Sequence, residues 1–138
     1  GHEERSVRLT EQLCARLRVP TDCRDLALIM ARHHGNIHRA AELKPATIVS
    51  LLEKTDALRR PTRFQQLLDA CLCDYTGRLG WEERTYDSPQ RFLTALAAVN
   101  AVEAGKIAAA CTDKGSIPQR IHTARIAAVK LALNDARD

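Results

Sequence analysis

Two histidines four residues apart, His34 and His38, and an aspartate, Asp56, that closes an apolar stretch are the side chains whose types and spacing could do chemistry. A pair at i, i+4 on one helix faces one side and suits a divalent metal, provided a third ligand joins it. Gly35-Asn36 lies between the two and is expected to break the helix, so the spacing equally describes surface or helix-end histidines. Asp56 is followed by Arg59 and Arg60, the spacing of a helical ion pair worth about 0.2–0.5 kcal/mol. Cys71 and Cys73 diverge on a helix and no second pair at zinc-ligand spacing follows; Cys14 and Cys71 read as small core residues. No Ser/His/Asp ordering, Walker-type glycine loop or GxGxxG occurs.

The elements that must position these residues are helices. Val7, Leu13, Cys14 and Leu17 are expected near one face of a first helix that Pro20 stops. Thr21 or Asp22 is expected to cap a second, whose stripe is Leu26, Ile29, Met30 and His33. Pro45 stands where a third begins, with Ile48, Val49, Leu51 and Leu52 following. After Pro61, the residues Phe64, Leu67, Leu68, Cys71 and Leu72 make the cleanest helical stripe in the chain. Residues 76–87 have no period and read as a connection. Ser88-Pro89 is expected to cap a helix carrying Phe92, Leu93, Leu96 and Val99. Ser116 should cap a last helix running to about Asn134.

The chain has 138 residues, 45% of them hydrophobic and only 4% aromatic, a mix that favours helix over an all-β sandwich. The reading is all-α, a bundle of six or seven helices. No run approaches the ~20 apolar residues of a membrane span. Five cysteines are an odd number, and with no export signal visible a full disulfide framework is not expected. The charge, +4 from 21 Lys+Arg against 17 Asp+Glu, is spread thinly. Such mixed charge describes solvated helix faces better than a dedicated nucleic-acid surface. Composition points to a soluble, intracellular protein.

The stretch Val7–Pro20, VRLTEQLCARLRVP, resembles the helix that follows the metal dyad in the HD domain of bacterial CCA-adding enzymes (tRNA nucleotidyltransferases, multifunctional CCA proteins). Gly1-His2-Glu3 resembles the end of the HGHE segment before it. The likeness continues through Arg24-Asp25-Leu26-Ala27, His34-x-x-x-His38, KPATIVSLLEKTDALRRP at 44–61, and Asp74-x-x-Gly77-Arg78-x-Gly80. It closes with Gly115-x-Ile117, Arg125 and Ile126-Ala127-Ala128-Val129, so it spans nearly the whole chain in order.

The resemblance implies a partial HD-domain fold with a C-terminal helical tail, divided into residues 1–75 and 76–138 or packed as one domain. It implies a parent enzyme that adds C, C and A to tRNA from CTP and ATP. That parent has a transferase head with divalent metal, and an HD phosphohydrolase site using Mg, with Ni a candidate. The head's Asp-x-Asp and the adjacent His-Asp dyad are not in this sequence. The fragment alone is therefore expected to be inactive and to need no cofactor. By position, the metal-site contributions fall on Asp56, His2 and His34, with His38 a further candidate. The tRNA contacts fall on Arg78, Arg84, Arg120, Arg125 and Lys130. Arg125 has an equal alternative, covering an apolar seam and pairing with a carboxylate. Two other readings stand beside this one: a stand-alone helical interaction module, and a truncated HD-type nucleotide phosphohydrolase without a tRNA role.

Overall fold

The computed structural model describes residues 1–135. Among them are seven α-helices, α1 (His2–Leu17), α2 (Thr21–His38), α3 (Pro45–Lys54), α4 (Pro61–Thr76), α5 (Ser88–Asn100), α6 (Ala104–Ala109) and α7 (Ile117–Asp135). Two short 3₁₀ turns, Ala40–Glu42 and Lys114–Ser116, complete the described elements, and no strand occurs among them. The all-α expectation is met. Proline sets two starts, because it supplies the fixed φ of the first turn and lacks only an N–H that would have no intrahelical partner there. Both α3 and α4 begin on one. No helix among the described residues is long and apolar enough to cross a membrane.

The helices form two compact units, each drawn from two stretches of chain. The first comprises Gly1–Ala40 and Arg60–Pro89, the second Ala41–Arg59 and the chain from Gln90 onward, so both units draw on both sides of residue 76. In the first unit α2 packs against α1 and against α4. Its buried side chains include Val7, Cys14, Ile37, Phe64, Leu67, Leu68 and Cys71. In the second unit α7 packs against α3 and α6. Ile48, Val49, Leu51, Leu52, Phe92, Leu96, Val99, Val129 and Leu133 are buried there.

Several local expectations are corrected. Gly35-Asn36 does not end α2, which runs on to His38. Interior Gly costs a helix about 1 kcal/mol, whereas burying an isoleucine is worth about 1.5–3 kcal/mol. Ile37, two residues on, is completely buried, and that burial holds the last turn in place. Leu13 and Leu17 are expected to share a face with Val7 and Cys14 but are 47% and 61% exposed. The contact face of α1 is set by Val7 and Cys14, seven residues apart, and the leucines fall on the adjoining face. Leu72 likewise lies at the edge of the α4 stripe, 41% exposed. Neither Thr21 nor Asp22 caps α2; Pro20 occupies that position without a side-chain bond. Ser88 is the first residue of α5, and its hydroxyl donates to the His38 carbonyl oxygen at 3.4 Å.

Candidate functional site

Because α2 continues through Gly35, it carries His34 and His38 one turn apart, with ring centroids 6.0 Å from each other. His2, at the start of α1, places its ring 6.0 Å from that of His34. Within the first unit the structure therefore brings three of the candidate histidines into a row. His34 Nδ1 lies 3.0 Å from the Met30 carbonyl oxygen. A carbonyl only accepts, so Nδ1 bears the proton and the neutral ring keeps its lone pair on Nε2, the tautomer a metal-binding histidine needs.

His38 is committed elsewhere. Its Nε2 lies 2.7 Å from Asp74 Oδ2 and its Nδ1 lies 2.8 Å from the Tyr86 hydroxyl. The carboxylate accepts from Nε2–H; at Nδ1 a neutral ring accepts the Tyr86 proton, whereas the protonated ring donates to the Tyr86 oxygen and sets its charge beside Asp74. Burial works to raise the Asp74 pKa, but the hydrogen bond and charge of His38, followed by those of Arg78, bring it below the usual value. Tyr86 stacks on Tyr75 at 4.4 Å, and Tyr75 meets the edge of Trp81 at 4.9 Å. Burial, followed by the Asp74 charge, pushes the neighbouring Cys71 thiol up to about 12, so it stays protonated, with Sγ 3.5 Å from Met30 Sδ. Cys14 and Cys71 are both buried, as small core residues should be.

Asp56 belongs to the second unit, just past the end of α3. Its φ is +58°, in the left-handed region that Asp tolerates better than most residues. Arg59 grips it as a fork: Nε donates to Oδ1 at 2.7 Å and Nη2 to Oδ2 at 3.0 Å. The hydrogen bond and the Asp56 charge in turn hold the Arg59 proton more tightly than usual. Among the described residues no group of three or more His, Cys, Asp or Glu is arranged to hold a metal ion. With His38 engaged at both nitrogens and Asp56 at both oxygens, the donors among the described residues do not by themselves assemble a metal centre.

The basic candidates separate into two kinds. Arg78 pairs with Asp74 at 3.4 Å and lies over the Trp81 ring at 5.1 Å; Arg84 lies over the same ring at 4.4 Å. Arg125 Nη1 donates to Glu53 Oε1 at 2.8 Å, which is the carboxylate-pairing alternative. Arg120 and Lys130 stand exposed on α7. Sequence reasoning missed Glu53 and His122. Glu53 Oε2 lies 3.0 Å from His122 Nδ1, so one carboxylate of α3 holds two side chains of α7 beside a depression lined by Ile117, Pro118 and Ile121. It also missed the roles of Tyr75, Trp81 and Tyr86. Partners 48 and 69 residues apart leave no periodic signal in the chain.

The fold and these contacts define an all-α protein whose polar clusters tie helices and their connections together. Its relatives show what it is similar to. A multifunctional CCA protein of Dechloromonas aromatica is 74% identical over 98% of this chain, a match covering 33% of that protein. That of Aromatoleum aromaticum is 53% identical over 100% of the chain and 34% of its own length. That of Cupriavidus taiwanensis is 55% identical over 94% and 31%. The chain is thus a homologue of part of the multifunctional CCA proteins, spanning about a third of the length of the curated relatives it matches. No family model and no solved structure matches it.

Proposed function

We propose that this chain serves as the C-terminal part of a cytoplasmic tRNA CCA-adding enzyme. In that enzyme it supports the HD domain and contributes to the grip on tRNA. The observation that carries the reading is the match to a multifunctional CCA protein at 74% identity over 98% of the chain. The transferase activity, with CTP, ATP and tRNA as substrates, belongs to the longer protein. So do its divalent metals, Mg with Ni a candidate at the HD site.

Within the chain, the residues best placed for phosphate contact are Arg120 and Lys130, exposed on a helix whose inner face is buried at Val129 and Leu133. Arg78, Arg84 and Arg125 have intramolecular partners, so their first role is to hold the connection and α7 in place. The test is direct. The longer protein should incorporate C and A into tRNA lacking its CCA end and hydrolyse 2′,3′-cyclic AMP with added divalent metal. The 138-residue chain should do neither. Cyclic-nucleotide turnover by the isolated chain, lost in Asp56→Ala, would favour a self-sufficient HD-type hydrolase instead.

A further inference from the structure

A ridge of leucines on α1 is left uncovered by the first unit. Leu9, Leu13 and Leu17 stand at i, i+4 and i+8 and are 58%, 47% and 61% exposed. Val7 and Cys14, on the neighbouring face, are buried in the contact with α2. Helical spacing sets Arg5 and Arg16 along one flank of the ridge, and Leu9, Gln12, Leu13 and Arg16 line a shallow depression there. Single exposed leucines are ordinary, but three in line on one helix are a docking pattern.

The charge selects the occupant. A leucine ridge with a cationic border complements an amphipathic helix with an aliphatic stripe and an acidic border. A second copy of the same ridge is a poorer match, since it brings the same arginine border and no acidic one to meet Arg5 and Arg16. The chain spans about a third of the length of its relatives, which leaves ample polypeptide in such a protein to supply that helix.

We propose that Leu9, Leu13 and Leu17 dock an acidic-bordered helix from the part of a longer CCA protein outside these 138 residues, making α1 an internal interface. This rests on the reading of the chain as part of such a protein. The experiment compares amide exchange across residues 9–17 in the longer protein and in the 138-residue chain, alongside C and A incorporation. Exchange should be slower by at least about tenfold in the longer protein. Leu9→Gln with Leu13→Gln should erase that difference yet leave the melting of the 138-residue chain unchanged, because both side chains are already half exposed in it. Equal exchange in a longer protein that adds C and A overturns the docking and leaves the functional reading standing. A longer protein that incorporates nothing overturns the reading itself. Concentration-dependent dimerisation of the 138-residue chain, abolished by the double substitution, would give the ridge to a second copy and also refute the proposal.

Discussion

A methyl group at residue 35 would come 2.7 Å from Glu3 Oε1, the far end of a flexible side chain that can swing aside. Gly35→Ala should therefore stabilise the chain by up to ~1 kcal/mol, the helix-propensity difference, read as a rise in melting temperature. Gly80 behaves oppositely. Its φ of +79° is strained for any L side chain, so Gly80→Ala should cost about 1–2 kcal/mol although nothing crowds the site. Leu68 has no exposed surface, and Leu68→Asp would bury an unpaired charge. That variant should show no cooperative melt; a retained one would remove Leu68 from the core. Asp56 combines a left-handed backbone with the Arg59 fork. Asp56→Asn keeps the backbone tolerance and loses the charge. In a longer enzyme it should abolish cyclic-nucleotide hydrolysis while C and A addition persists, and unchanged hydrolysis would end the case for a catalytic role.

At the scale of elements, the connection between α4 and α5 is anchored to the end of α2 by Asp74, His38 and Tyr86. Deleting the Tyr86 hydroxyl leaves a half-buried imidazole nitrogen without that bond, so Tyr86→Phe should cost about 1 kcal/mol in a denaturant titration. Asp74 carries a pH signature. Its folded pKa lies below the ordinary carboxylate value, so its stabilising contribution is fully present above that value. The contribution disappears as pH falls through the folded pKa. Asp74→Asn should therefore flatten the loss of stability below about pH 4. A variant whose acid limb matches the parent would show that the carboxylate is not the group being titrated.

For the molecule as a whole, the cations on α7 are where the proposed grip on tRNA can be separated from the holding of the fold. Arg120 and Lys130 are exposed, whereas Arg125 shares Glu53 with His122. Replacing Arg120 and Lys130 by alanine in a longer enzyme should weaken tRNA binding. It should also reduce the salt slope by about 0.7–0.9 for each phosphate that is no longer neutralised, with melting unchanged. Arg125→Ala should do the reverse, lowering stability because Glu53 loses a charge-assisted partner, with little change in slope. Parallel titrations of tRNA binding against salt, with melts of the same proteins, separate the two. Equal slopes for all variants would make the α7 cations a solvated face.

The all-α class and the starts of α3 and α4 are legible in the residues, since proline geometry and apolar spacing act within a few positions of where they are written. The cores of those helices are legible for the same reason: Ile48, Leu52, Phe64 and Leu68 repeat at helical spacing and are all buried. The family was legible too, in motifs kept in order along the chain. Tertiary packing decided the rest. It carried α2 through Gly35-Asn36, because the burial of Ile37 outweighs a local propensity. It turned Leu13 and Leu17 outward, because amphipathic spacing names an apolar face but not which part of it a neighbour will cover. It also chose the partners of His38, Glu53 and Arg125. Those pairs join residues 36 to 72 positions apart, and a polar group's partner across such distances is set by which helices pack, which no local pattern encodes.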